Sequence, residues 1–297
     1  MIRCTVRGCG EPLKLDDRAA SCSRGHHFDR AKAGYWNLLQ PQDRRSLEAG
    51  DRKEVAAARR RLFEAGFFAP LTAALGRALN AWEGASPSPG GGFEGGGERG
   101  TEGVRSEPTL LDVGCGEGSH LAALCADQPT VHGIGLDLSA PGLELAARRH
   151  PALTWLVANA DRGLPLLDAR VDVVLSITAR RPVAEFARVL RSGGLLILVV
   201  PAPDDLVELR RAVLGDDDAR DRFPTLLAEL DAVPGAFELR DRTTVRHRPH
   251  IDHQGLQDLG ATTYRAGRLS REDRLAALPA SGLAVTGAWE IAVFRRR

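Results

Sequence analysis

Short apolar runs crowd the second half of the chain. TLLDV (109–113), HGIGL (132–136), LTWLV (153–157), DVVLS (172–176) and LLILVV (195–200) are separated by stretches long enough for one helix each. Fully apolar runs alternating with helical lengths predict βαβ units and a parallel, doubly wound α/β sheet. Two later patches, 237–245 and 283–294, are placed to add closing strands. Upstream, Asp51 to Trp82 shows helical spacing in an Arg- and Ala-rich stretch. In between, SPSPGGGFEGGGERGTEGVRSEP (Ser86 to Pro108) loses all periodicity. Gly and Pro dominate it, so it buries too little to order itself and reads as a flexible linker or insertion. The organisation expected is therefore a small unit at 1–40, a helical connector at 41–85, the linker at 86–108 and an α/β domain at 109–297.

Composition changes this picture in two ways. Of 297 residues, 43% are apolar and 27% charged, which is ordinary for a globular chain, and the net charge is only +1. Residues 1–61, however, hold 14 Lys and Arg against 8 Asp and Glu, so the remainder is net acidic by five. A basic front on an acidic body suggests a polyanionic partner met mainly at the front. No basic segment leads into an apolar run, and no stretch is long enough to cross a bilayer. A soluble, cytoplasmic protein without membrane contact is expected. Five cysteines are too few, and odd in number, for a disulfide framework.

Three of those cysteines fall in the first 22 residues. Cys4, Cys9, Cys22 and His26 give C-x4-C-x12-C-x3-H, two ligand pairs of the kind tetrahedral zinc requires, with Gly8, Gly10 and Gly25 supplying the turns. His27 is the competing fourth ligand. Four protein ligands leave no open position, so such a zinc is structural and folds a segment too short to fold by itself.

Candidate chemistry of a second kind follows the first predicted strand of the α/β domain. LLDVGCGEGSH (110–120) places Asp112 at the strand end and Gly114, Gly116 and Gly118 at the opening of a helix. Glycines there permit close backbone approach to a ligand, and the leading carboxylate suits a cationic ligand better than a pyrophosphate. Asp137 ends the second strand, where it can accept hydrogen bonds from ribose hydroxyls. Asn159, Ala160 and Asp161 end the third at the same edge, in reach of an adenine. This D-x-G-x-G-x-G loop with its second-strand acid and third-strand Asx resembles the class I S-adenosylmethionine-dependent methyltransferases; a nicotinamide-binding Rossmann domain is the weaker fit. The resemblance implies that the three glycines pass the methionine part, that Asp137 holds the ribose, and that Leu138, Asn159 and Ala160 line the nucleoside. Thr178, Arg180 and Arg181, in SITARR after the fourth strand, would border the methyl acceptor.

HHFDRAKAGYWNLL (26–39) and AARRRLFEAGFFAPL (57–71) bring a closer resemblance, to the RlmA-type 23S rRNA (guanine-N1)-methyltransferases. Phe28, Asp29, Ala31, Gly34, Tyr35, Asn37, Leu38 and Leu39 match the first family phrase, and Arg59, Arg60, Gly66, Phe68 and Pro70 the second. The resemblance implies S-adenosylmethionine as methyl donor, a structural Zn2+, and a 23S rRNA hairpin as partner, in ribosome maturation or macrolide resistance. It also implies that Phe67 and Phe68 help cover the cofactor, and it leaves room for a homodimer. The chain departs from relatives in its C-x4-C spacing, its Gly-rich segment, SITARR where an aromatic and a proline are usual, and LGATTYR (259–265) where Met-x-Pro is usual. The base that removes the guanine N1 proton is not identified by any motif; Asp161 or a water could serve. His247, His250 and His253 suggest a second metal site only faintly, and Arg246 and Arg248 fit phosphate better. A small-molecule methyltransferase and a catalytically silent RNA-binding protein are the rival readings.

Overall fold

A computed structural model describes residues 1–43, 50–82, 107–215, 219, 221–263, 273 and 278–297. The Gly/Pro-rich stretch up to residue 106 and the end of LGATTYR lie outside the described residues.

Polar, turn-rich sequence at the front gives only short strands: β1 (Leu13–Leu15), β2 (Ala19–Cys22) and β3 (His27–Asp29), paired as an antiparallel three-stranded sheet, then β4 (Trp36–Asn37). The helical stretch that follows breaks in two, α1 (Lys53–Glu64) and α2 (Ala69–Asn80). Gly66 turns the chain with φ of +81°, and Pro70 sits in the first turn of α2, where its missing N–H costs nothing. The α/β domain then runs β5 (Thr109–Val113), α3 (Ser119–Asp127), β6 (His132–Asp137), α4 (Ala140–Arg149), β7 (Thr154–Val157), β8 (Val171–Ile177), α5 (Val183–Val189), β9 (Leu190–Pro201), α6 (Val207–Leu214) and α7 (Phe223–Leu230). It closes with β10 (Phe237–His247), β11 (His250–Ile251), α8 (His253–Thr263), β12 (Leu283–Ala284) and β13 (Gly287–Arg296).

Among the described residues eight strands form the main sheet, in the order β10-β13-β9-β8-β5-β6-β7-β4. All five predicted parallel strands are present, and the two late patches enter as an antiparallel pair, β13 against β9 and β10 against β13. This mixed sheet is the class I methyltransferase arrangement. From β5 the order runs one way through β6 and β7 and the other way through β8 and β9, so the crevice at the carboxyl ends of β5 and β8 is where such sheets bind ligands.

Both faces of the sheet are covered. Trp155, Leu71, Leu75, Leu110 and Leu121 fill one side; Leu111, Ile134, Phe186 and Leu196 fill the other. The front unit belongs to that second core: Ile2, Leu13, Phe28, Trp36 and Leu38 pack with Leu156, Leu164 and Leu166. Backbone bonds fasten the seam, from Arg3 N–H to Pro165 O (3.0 Å), Leu167 N–H to Met1 O (2.8 Å) and Leu38 N–H to Val157 O (2.9 Å). Trp36–Asn37 thereby becomes the eighth strand, parallel to β7.

Trp155 is fully buried, and its six-membered ring packs against Gly135 of β6 and Gly118 of the loop before α3, so neither position tolerates a side chain. A Cβ on Gly135 would overlap that ring and approach Cys115 Sγ to 2.9 Å. Gly135→Ala is expected to lower stability by about 1–3 kcal/mol through overpacking, read as a reduced midpoint in urea unfolding followed by tryptophan fluorescence.

Candidate active site and metal centre

The loop after β5 is shaped by three glycines in the left-handed region: Gly114 at φ +82°, Gly116 at +58° and Gly118 at +79°. Any side chain there would be strained, and one on Gly114 would overlap the Ala179 methyl. Asp137 fixes the loop from the neighbouring strand. Its Oδ2 accepts from Gly116 N–H (2.8 Å) and its Oδ1 from Ser139 N–H (2.7 Å). A carboxylate offers about four acceptor positions, so two remain for a ligand's hydroxyls. Burial raises the Asp137 carboxyl above its ordinary value, and the two backbone donors oppose that shift.

Beneath the loop Asp112 is buried, and its Oδ1 has no hydrogen-bond partner among the described residues. Burial, with Asp137 and Glu117 nearby, pushes its carboxyl up to about 8. An orphaned acidic group under a glycine cradle fits the sulfonium and ammonium of S-adenosylmethionine. Glu117, also raised by burial, accepts from Ser119 Oγ (2.6 Å), with Arg60 Nη1 at 3.8 Å.

The remaining candidates rim the same edge. Leu138 is half-buried beside Gly50, and Ser139 Oγ donates to Asp51 O at 2.6 Å. Asn159 is buried and caps the turn 160–162, its Oδ1 accepting from Asp161 N–H at 3.0 Å; Ala160 is half-buried beside it. Asp161 Oδ2 stands 3.9 Å from Arg180 Nε, bridging the loops after β7 and β8. Thr178 holds a positive φ of 51°, uncommon for a β-branched residue. Arg181 turns away from this rim and pairs with Glu229 at 2.5 and 2.9 Å.

Phe67 is buried against His247 and Trp289, whereas the ring of Phe68 packs on His120, two residues past the glycine loop. Burial drives His120 down to about 4, so it is neutral where it meets Thr72 Oγ1 at 2.9 Å. His250 and His253 contact the carbonyls of Ser281 and Pro279, and Arg246 and Arg248 pair with Asp204 and Glu208. Arg59 lies over Gly116, Ala179 abuts Gly114, and Asp51 reaches Ser139; no spacing rule marks these contacts, because separate elements bring them together.

At the front, Cys4, Cys9, Cys22 and His26 bring one ligand atom each to within 4.8 Å of one another. Zinc–sulfur bonds of about 2.3 Å imply tetrahedral sulfur–sulfur edges of about 3.8 Å. Cys9 Sγ and Cys22 Sγ are 3.8 Å apart, and His26 Nδ1 is 3.4 Å from both Cys4 Sγ and Cys22 Sγ. The donor set fits zinc, while His27 is exposed on β3. Gly34, at φ +108°, turns the phrase after the knuckle so that Trp36 and Leu38 reach the sheet, and Arg30 stacks over Trp36 at 4.6 Å. Elemental analysis should find one zinc per chain. His27→Ala is expected to keep it and Cys22→Ser to lose it, with a lower melting temperature for the latter.

Comparison with known proteins agrees with this architecture. The family described as "RlmA, N-terminal" matches residues 3–47, and the family described as "Methyltransferase domain" matches residues 110–194. A Micromonospora griseorubida protein with the provisional name 23S rRNA (guanine-N(1)-)-methyltransferase is 36% identical, over 99% of this chain and 97% of its own. The 23S rRNA (guanine(748)-N(1))-methyltransferase of Streptomyces fradiae is 34% identical, over 84% of this chain and 80% of its own. A Bacillus subtilis (strain 168) protein with the same provisional name as the first is 38% identical, over 77% and 74%. With a relative above 30% identity aligned along nearly its whole length, this chain belongs to the RlmA-type family of 23S rRNA (guanine-N1)-methyltransferases.

Proposed function

We propose that this chain transfers the methyl group of S-adenosylmethionine to N1 of a guanine in a 23S rRNA hairpin, acting in the cytoplasm where its substrate is made. The observation that carries the reading is the orphaned, buried Asp112 under a loop of three left-handed glycines, on the sheet edge to which the metal-binding front end is fastened. S-adenosylmethionine supplies a methyl already activated on sulfur, so the protein's task is mainly positioning. Gly114, Gly116 and Gly118 admit the methionine part, Asp112 faces its cationic centres, Asp137 holds the ribose and Asn159 lies beside the base. Thr178, Arg180 and Asp161 stand where an unstacked guanine would enter. The bound cofactor would supply its methyl to guanine N1 and be left as the thioether, while Asp161 or a water would take the N1 proton.

Zinc orders the front end so that it can contribute to RNA recognition. Between the knuckle and the loop after β7 runs a groove of about 400 Å³, bordered by Arg3, Arg7, Cys9, Asn159 and Arg162. A polar, partly basic groove beside the cofactor edge suits the backbone of an RNA loop, whose unstacked bases are open to readout. No helix among the described residues is long and apolar enough to cross a membrane.

Labelled S-adenosylmethionine and unmethylated large-subunit rRNA are expected to give label transfer and one new reverse-transcriptase stop, because an N1 methyl blocks Watson–Crick pairing. Transfer to small acceptors without RNA would replace this reading with a small-molecule one, and RNA binding without transfer would leave a silent binding protein. The buried carboxyl adds a pH dependence. Asp112, with a carboxyl pushed up to about 8, is protonated at neutral pH and must release that proton to face a cation. Cofactor affinity should therefore rise with pH toward about 8 and level off above it, with proton release measurable by calorimetry in buffers of different ionisation enthalpy.

A further inference from the structure

A zwitterionic sulfonium amino acid brings a carboxylate as well as two cationic centres, and the acidic floor of this site suits only the cations. Asp112, Glu117 and Asp137 all lie at the glycine loop, so an approaching carboxylate needs a cation of its own. Two arginines of α1 reach the loop. Arg60 is already engaged: Glu64 accepts from its Nε and Nη2 at 3.0 and 2.8 Å, and its Nη1 faces Glu117 at 3.8 Å. Arg59 lies with its guanidinium directly against Gly116, where Nη1 stands 2.8 Å from the position a Cβ would take. The same guanidinium acts electrostatically on Glu117, His120 and Asp137 together.

Among the described residues Arg59 pairs with Asp51, Nη2 to Oδ2 at 3.0 Å, with both side chains about one-third exposed. Such a pair is weak and easily exchanged. Asp51 in turn is anchored through its backbone, its carbonyl accepting from Ser139 Oγ, next to the carboxylate that grips the glycine loop. We propose that Arg59 is the binding residue for the cofactor's α-carboxylate, and that Asp51 serves as its counter-ion until the cofactor carboxylate takes over that place. Cofactor entry is then an exchange of one carboxylate for another on a fixed guanidinium. No covalent step is involved, and Arg59 acts by binding rather than by chemistry.

The inference rests on the methyltransferase reading and is tested by affinity rather than turnover. Calorimetric titration of the full-length zinc-loaded chain with S-adenosylmethionine and with decarboxylated S-adenosylmethionine compares two ligands that differ only in the carboxylate. Wild-type protein should prefer the complete cofactor. Arg59→Ala is expected to weaken binding of the complete cofactor by roughly ten- to a hundredfold, the loss of a hydrogen bond to a charged group, and to leave the decarboxylated ligand within roughly twofold. Asp51→Asn should act with opposite sign, tightening the complete cofactor by roughly two- to fivefold as a weak competing pair is removed. This second variant keeps the test meaningful should Arg59→Ala disturb folding. Equal losses for both ligands in Arg59→Ala, no loss for either, or weaker cofactor binding in Asp51→Asn would each overturn the assignment. Wild-type protein that binds neither ligand would remove the methyltransferase reading itself, an outcome distinct from wild-type binding without discrimination, which overturns only the clamp.

Discussion

Two hydrogen bonds to one carboxylate organise this molecule's site. Asp137 ends β6 and receives the backbone N–H of Gly116 on one oxygen and that of Ser139 on the other. The first bond reaches sideways to the loop after β5 and the second forward to the start of α4, so one side chain sets the relation of two loops and two strands. Ser139 then caps α4, accepting from Gly142 N–H at 3.0 Å, and anchors the carbonyl of Asp51 in the segment leading into α1. Hydrogen bonds to charged acceptors are among the stronger single contacts in a protein. Here they also oppose the upward shift that burial gives the carboxyl.

Around that centre the protein joins three units of different character. The α/β sheet provides the crevice, α1 brings Arg59 and Arg60 to its glycine loop while α2 packs on α3, and the metal-stapled front end is stitched to β7 and the loop beyond. Arg61 ties α1 to α8 through a two-point pair with the buried Asp258, at 2.6 and 2.8 Å. The carboxyl edge is thus framed by segments from the beginning, middle and end of the chain.

Much of this was legible in the sequence, for identifiable reasons. Strands buried on both faces read as continuous apolar runs, so β5 to β9 stand out, as do the glycines whose positive φ excludes other residues. The ligand set of the knuckle was legible because metal geometry constrains spacing. What stayed hidden depends on partners far away in the chain. Trp36–Asn37 is too short to announce itself as a strand and becomes one only because β7 offers an open edge. The break between α1 and α2 has a local mark in Gly66 and Pro70, whereas the burial of Phe67 beside Trp289 and the pairing of Arg61 with a residue 197 positions later are decided by tertiary packing, which no local pattern encodes.

The addition of β4 to the main sheet has a consequence for the protein's behaviour as a polypeptide in a crowded cell. Without it, β7 would present a row of unpaired backbone groups, a ready template for pairing with other chains. The two residues that cover this edge are held in place by a front end whose own shape depends on zinc. Metal supply thereby bears on solubility as well as on shape: a newly made chain that has not captured its ion would leave the sheet open on that side. Because β4 is made more than a hundred residues before β7, the covering strand already exists when the edge it closes is synthesised, so its folding and not its synthesis decides whether that edge is covered.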